Sequence, residues 1–287
     1  MSDNTPIIAR TAMLASLHAR QWSGRKFDRD ASDDFNKSKG ADKDAARVNK
    51  LLVSKEALKP VQQLVTQCRQ EFYRVTLPWG DDGDRILPAA AYPDFAQFMD
   101  QKQDEFDRLV DTFVEDYRKE VREAAHRMGD LFNIGDYPKP SEIRNRFSMS
   151  FSVRPIPTQD DFRVNLSSDV EDAIRQQVQS DLETLTQTAM QHVWQRVGTM
   201  IEDVRDRLAD PNARFKRNLL DNLVEMVEDL ERLNVTGDPN LTALRNEAFK
   251  SLTLLRDPDA LRKDEAVRAD AAKDMQKLAD QFGNLWG

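Results

Sequence analysis

The chain has 287 residues, of which 39% are hydrophobic and 32% are charged. This balance excludes a disordered chain, which has too few apolar residues, and a large compact core, which carries fewer charges. The same balance fits long amphipathic helices that bury one apolar stripe each. The net charge of −8 opposes binding to duplex nucleic acid unless a local basic patch compensates for it.

The N-terminal segment, residues 1–46, combines one short apolar stretch with a charged loop. Residues 11–22 are short and partly alternating, a pattern that fits either a strand or a short helix. More than half of residues 23–44 are charged, so we expect a mobile loop that cannot bury enough surface to order itself.

A first helix is predicted after Ala45, where apolar residues recur at steps of three and four as far as Phe72. Pro60 predicts a break or kink within it. Residues 76–88 contain two prolines and two glycines among polar residues, which is typical of a turn-rich link between helices.

Two long helices give the strongest pattern in the chain. The first is predicted over 93–131, and the second over 168–209, where Ser168 and Glu171 have the spacing of a capping box. We expect 93–131 to pack antiparallel against 168–209, so that each helix covers the apolar stripe of the other.

A small β element is predicted between the long helices. Phe147, Met149, Phe151 and Val153 alternate with polar residues, which is the period of a strand. Residues 161–164 are a candidate partner strand, and residues 12–20 can join the same sheet. The β element is therefore placed near 147–165, at one end of the helical hairpin.

The C-terminal segment, residues 211–287, is predicted to be helical. One helix spans 215–233, and two more begin at Asp238-Pro239 and Asp257-Pro258, where Asp suits the N-cap and Pro the first helical position. The fold class is therefore mainly α (α+β): an elongated antiparallel long-helix hairpin or bundle, residues 47–210, with a small β element and flanking segments 1–46 and 211–287.

Signatures of enzymes and of cofactor sites are absent from the sequence. It has no glycine-rich phosphate loop, no Walker lysine motif and no nucleophilic serine elbow. Glu123 and His126 form one E-x-x-H pattern, but Ala189 stands where a second copy before His192 would need Glu. Residues 81–84 lack the ligand spacing of a calcium loop. We therefore predict no enzymatic activity, no cofactor and no metal site.

The location is predicted from the cysteine count and from hydropathy. The one cysteine, Cys68, excludes a disulfide framework and a cysteine-based zinc site. Residues 1–17 carry Asp3 and Arg10 and do not resemble a signal peptide, and no stretch approaches the roughly 20 apolar residues of a membrane span. We expect a cytoplasmic protein.

The predicted function is that of a scaffold or adaptor. Apolar edges left over on long helices favour self-association, or docking on a protein partner. The alternative is a single-stranded nucleic-acid-binding protein, because arginines and aromatic residues are interleaved in the β element and in the basic N-terminal loop. The candidate residues for that alternative are Arg20, Trp22, Arg25, Lys26, Arg144, Arg146, Phe147, Phe151, Arg154 and Arg163.

Several short strings occur in an order that resembles an uncharacterised family of proteins encoded by tailed bacteriophages and prophages. They are Trp22-Ser-Gly-Arg-Lys26, Thr76-Leu-Pro-Trp79, Arg85-Ile-Leu-Pro88, Tyr137-Pro138, Pro155-Ile-Pro157, Asp161-Phe-Arg-Val164 and Leu233-Asn-Val-Thr-Gly-Asp-Pro239. The resemblance covers nearly the whole chain and carries no assigned activity. It implies a phage protein in the cytoplasm of an infected bacterium, with an AAA+ ATPase as one candidate partner.

Overall fold

A computed structural model describes residues 5–80, 83–161, 167–210, 217–254 and 264–286, and these residues form eight α-helices and six strands. The helices are α1 (Ile7–Thr11), α2 (Arg29–Ser38), α3 (Lys55–Val75), α4 (Tyr92–Met128), α5 (Ser168–Ala209), α6 (Arg217–Leu233), α7 (Pro239–Leu254) and α8 (Glu265–Trp286). The strands are β1 (Ala12–Arg20), β2 (Arg25–Asp28), β3 (Val48–Leu51), β4 (Leu77–Pro78), β5 (Arg85–Pro88) and β6 (Ser148–Arg154). The predicted class, mainly α with a small β element, is confirmed.

The strands form two small sheets. One has the order β4–β5–β1–β6, in which β5 runs antiparallel to both β1 and β4. The strands β2 and β3 form the second, antiparallel sheet. Residues 12–20 are therefore a strand beside residues 148–154. Of the two structures predicted for this stretch, a strand or a short helix, the strand is confirmed. The predicted partner strand at 161–164 lies outside the described residues except for Asp161, which is in a short 3-10 turn.

The chain folds into two compact units. The larger unit comprises residues 1–16, 73–94 and 153–287, and the smaller unit comprises residues 17–72 and 95–152. These boundaries differ from those of the predicted segments 1–46, 47–210 and 211–287, and that division of the chain stays a prediction.

The core of the larger unit is built on α5. This 42-residue helix has the predicted bounds and packs most extensively on α8, with further contacts to α6. Gly198 lets α8 approach closely, since a Cβ built there would lie 2.5 Å from Cζ of Phe282. The apolar stripe of α5 is thus buried by helices of its own unit, and the antiparallel pairing of 93–131 with 168–209 stays a prediction.

The start of α5 differs from the predicted capping box. The N-cap is Ser167 rather than Ser168, and its side chain makes no capping hydrogen bond. The carboxylate of Glu171 instead accepts a hydrogen bond of 2.8 Å from the guanidinium of Arg175, one turn further along the helix.

Most of α3 and most of α4 belong to the smaller unit, and these two helices form its core. Phe106, Val110 and Tyr117 of α4 are almost completely buried, as are Val61 and Cys68 of α3. Residues 55–75 form one helix, so Pro60 does not end it. The hydrogen bond that Pro60 cannot donate would go to the carbonyl of Glu56 in the exposed first turn, where water can replace it.

Residues 23–44 were predicted to be a mobile loop, and this prediction was wrong. They contain β2 and α2, and β2 pairs with β3 from Arg25↔Leu51 to Asp28↔Val48. Polar contacts order the segment: the Ser32 hydroxyl donates to the Asp28 carbonyl and accepts from Val48 N at 2.9 Å. The Asn36 amide donates to the Lys43 and Ala46 carbonyls. Buried hydrogen bonds thus supply the order that apolar burial does not.

None of the helices in the described ranges is both long enough and apolar enough to cross a membrane.

Candidate interaction surface

The aromatic residues predicted to stack on nucleic acid are packing residues of the smaller unit. Phe147 is 3% exposed, and its ring centroid lies 5.5 Å from that of Phe113. The indole of Trp22 lies edge-on to Tyr117 at 5.8 Å. Phe151 meets Phe95 edge to face at 5.1 Å. These rings therefore stabilise the core around α4.

Most of the predicted nucleic-acid-binding cations have protein partners. Arg144 pairs with Asp107 at 2.6 Å and with Asp111 at 3.1 Å. Arg20 donates a hydrogen bond to the carbonyl of Asn145. These arginines therefore join elements of the smaller unit.

Two further candidates are also paired, but in different units. Arg154 pairs with Asp84 in the larger unit, whereas Lys26 pairs with Asp136 at 3.0 Å in the smaller unit. Arg25 and Arg146 are exposed and have no side-chain partner among the described residues, and Arg163 lies outside those residues. The structure therefore does not gather the ten candidates into one described site.

A surface that the sequence did not predict follows α4. We call residues 129–138 the post-α4 turn. Leu131 was predicted to end the buried stripe of the helix, but it is 47% exposed, and Ile134 is 65% exposed. Helix α4 ends at Met128, and Gly129 takes a φ of +51°, which turns the chain out of the helical stripe.

The post-α4 turn is held by its own hydrogen bonds. The Asn133 side chain accepts from Gly135 N at 2.8 Å, and the Asn133 carbonyl accepts from Asp136 N. The Tyr117 hydroxyl donates to the Pro138 carbonyl at 2.9 Å, and burial raises the pKa of Tyr117 to about 12, so that it keeps this proton. Leu131 and Ile134 are thus exposed on an ordered backbone.

A lysine–aspartate network ties the turn to β2 and β3. We call Asp28, Lys50 and Asp136 the buried ion triad. Lys50 Nζ lies 2.5 Å from Asp136 Oδ2 and 3.0 Å from Asp28 Oδ2, and the Lys50 and Asp136 side chains are only 8% and 7% exposed. Lys26, half exposed, adds a second cation to Asp136. The network fixes the far end of the post-α4 turn.

The pKa values in the triad follow from these contacts. Hydrogen bonds to Asp136 and Asp28 raise the pKa of Lys50 above its ordinary value. Burial acts to raise the pKa of Asp136, but the hydrogen bonds from Lys50 and Lys26 outweigh it and leave that pKa lowered. The Ala31 amide, followed by Lys50, lowers the pKa of Asp28. All three groups are therefore charged at neutral pH.

The sequence contains only a weak signal for this surface. Residues 129–136 read Gly-Asp-Leu-Phe-Asn-Ile-Gly-Asp, in which apolar residues stand among turn-forming residues with neither a helical nor a strand period. No three His, Cys, Asp or Glu residues are grouped as a metal site would need within the described part of the chain, which includes Glu123 and His126.

The chain matches a protein-family model over most of its length. Residues 10–255 match the model of a family described as a protein of unknown function, DUF3150. No curated protein and no solved structure matches the chain. Since the matched residues make up most of the sequence, the chain belongs to the DUF3150 family.

Proposed function

We propose that this protein is a non-enzymatic scaffold or adaptor that self-associates through the post-α4 turn. One observation carries the proposal: Leu131 and Ile134 are exposed on a turn that is already ordered. Single exposed apolar residues are common on protein surfaces, but here the backbone beneath them is fixed. An ordered contact surface loses less conformational entropy on binding, which favours association.

The charges beside the turn favour a second copy as the occupant. Arg127, Asp130 and Lys139 flank the two apolar residues, and all three are exposed. A twofold interface brings the same surface of two chains together, so it needs both signs of charge. This short stretch carries both, and the two copies can pair their charges around the apolar contact.

The proposal also includes a cellular compartment and a partner protein. The strings that resemble phage and prophage proteins support a role in the cytoplasm of an infected bacterium. A single, fully buried and unpaired cysteine, Cys68, suits that reducing compartment. An AAA+ ATPase is the partner that we propose for the assembled adaptor.

Ile134→Glu is expected to weaken self-association about tenfold or more, because a charge would replace an apolar contact at the centre of the interface. Light scattering across a range of protein concentrations measures the change. At a concentration where both proteins are monomeric, the thermal midpoint should stay the same, because Ile134 is 65% exposed in the single chain. Val267→Glu is the matched control, since Val267 is an exposed valine on α8, 38% accessible, in the larger unit. A wild-type chain that stays monomeric at every concentration, or an equal effect of Val267→Glu, would refute the assignment.

Single-stranded nucleic-acid binding is the second candidate, and Arg25 and Arg146 are the exposed cations that favour it. Because the rings of Trp22 and Phe147 are packed, we expect a labelled oligonucleotide to show no saturable change in fluorescence anisotropy at low salt. The double variant R25Q/R146Q should behave like the wild type. Wild-type binding that falls steeply with salt and is lost in the double variant would support the second candidate instead.

A further inference from the structure

A group of basic side chains is gathered in the larger unit, separate from the post-α4 turn. Arg74 lies at the end of α3 and Arg85 on β5, while His192 and Arg196 lie one turn apart on α5. We call these four residues the basic cluster. The carboxylate of Asp229 on α6 pairs with Arg74.

Two nitrogen atoms of the basic cluster are buried without a hydrogen-bond partner in the described part of the chain. They are Nη1 of Arg196 and Nδ1 of His192. The other terminal nitrogen of Arg196, Nη2, donates to the Arg74 carbonyl at 3.2 Å, which fixes the guanidinium in place. Buried donors are nearly always bonded, so these two atoms call for an acceptor.

The neighbouring arginine is also held in a defined position. Arg85 Nε donates to the Thr76 hydroxyl at 2.6 Å, and Nη2 donates to the Thr76 carbonyl at 3.1 Å. Its guanidinium carbon lies 4.8 Å from the centre of the Tyr73 ring, and Tyr73 is 55% exposed. This side of the basic cluster therefore reaches solvent.

The electrostatics of the basic cluster are unbalanced. Burial lowers the pKa of Arg85 and of Arg196. Burial also lowers the pKa of His192, and the positive charges of Arg196 and Arg85 lower it further. The negative charge of Asp229 opposes this shift of the pKa at Arg196. Burying cations that are not fully paired is costly, and a bound anion would offset that cost.

We propose that the basic cluster binds an oxyanion, which accepts hydrogen bonds from Nη1 of Arg196 and Nδ1 of His192. A neutral imidazole with its proton on Nδ1 can donate this bond, and the guanidinium supplies a charged donor. Arg85 and Arg74 add positive charge around the same position. Phosphate and carboxylate groups share this acceptor chemistry, so both are tested below.

The test is the thermal unfolding of the full chain in sodium phosphate, in sodium acetate and in sodium chloride at equal ionic strength. We expect phosphate at about ten times its Kd to raise the thermal midpoint by roughly 4 °C over chloride. An equal rise in acetate would extend the site to carboxylates, and no rise in acetate would restrict it to phosphate. The absence of a rise in both salts would overturn the proposal.

Two variants and a control separate a bound anion from a general salt effect. Arg196→Met and His192→Leu should both lose the phosphate-dependent rise. Arg207→Gln, which removes an exposed guanidinium of α5 that pairs with Asp203, should keep it. In chloride, Arg196→Met should unfold at the same or a higher temperature than the wild type, because it removes a buried charge that lacks its anion. A phosphate-dependent rise that persists in Arg196→Met and His192→Leu would overturn the assignment.

Discussion

Gly24→Ala is expected to lower the free energy of unfolding by about 3 kcal/mol. Gly24 has a φ of +61°, a conformation in which a side chain is strained. In addition, a Cβ at this position would lie 2.7 Å from Cδ1 of Leu58 and 2.9 Å from Cγ2 of Val53. Both neighbours are buried, at 4% and 2% exposure, so neither can move aside freely. The Gly24 carbonyl also accepts from Leu52 N at 2.8 Å, which opposes a backbone shift.

Gly40→Ala is the matched control, because it carries the same backbone strain without the clash. Gly40 has a φ of +64°, and no atom lies within 4 Å of a Cβ built there. We expect a loss of about 1 kcal/mol. Urea denaturation of the two variants and of the wild type gives both values. Equal losses would mean that the core around Gly24 accommodates a methyl group and that backbone strain alone accounts for the effect.

The long helices could be predicted because their apolar residues repeat over many turns. Helix α5 has the predicted bounds of 168–209, and α4 spans 92–128 against a predicted 93–131. The difference at the end of α4 determines which residues are exposed in the post-α4 turn. Leu131 continues the helical spacing in the sequence, but Gly129 turns the chain, so the same residue becomes exposed. The spacing of apolar residues cannot show whether the helix continues and buries Leu131 or ends and exposes it.

The order in residues 23–44 could not be predicted from hydropathy. Ser32 and Asn36 are only 2% and 1% exposed, yet both are polar, and a charged segment with few apolar residues is typical of disorder. Their buried state depends on partners such as Val48 and Lys43, which are separated from them in sequence. Such hydrogen-bond networks have no periodic signature.

The predicted nucleic-acid residues show a related limit. Alternation correctly placed Phe151 in a strand and Phe147 directly before it, but it does not tell which neighbouring element covers each ring. Phe113 and Phe95 of α4 do so, and acids of the same helix pair with Arg144. The basic cluster is similar, because Arg85 and Arg196 are far apart in sequence and nothing in their local patterns relates them.

Lys50→Met is expected to lower the free energy of unfolding at pH 7 by about 3 kcal/mol. It removes the cation shared by Asp28 and Asp136, whose side chains are 14% and 7% exposed. Lys26→Met is the control: this lysine contacts Asp136 at 3.0 Å but is half exposed, so its loss should cost less than about 1 kcal/mol. Equal losses would show that the burial of Lys50 adds nothing to the strength of the triad.

The directions of the pKa shifts predict how the stabilisation by the ion triad changes with pH. The pKa values of Asp28 and Asp136 are lowered in the folded chain, so their stabilisation is complete above about pH 4, the range of an unfolded carboxyl group, and falls as the pH drops through the folded values. The pKa of Lys50 is raised, so its stabilisation is complete below about pH 10 and is lost as the pH rises through its folded value. The difference between wild type and Lys50→Met should therefore be greatest between these limits and shrink on either side.

The same variant tests whether order in the post-α4 turn matters for association. Lys50→Met leaves Leu131 and Ile134 in place but removes the contact that anchors Asp136. If the ordered backbone favours self-association, the variant should associate more weakly at a temperature where it is still folded, and Lys26→Met should associate nearly as the wild type does. Light scattering at pH 7 compares the three proteins. Unchanged association of Lys50→Met would mean that the two apolar side chains suffice without the ion triad beneath them.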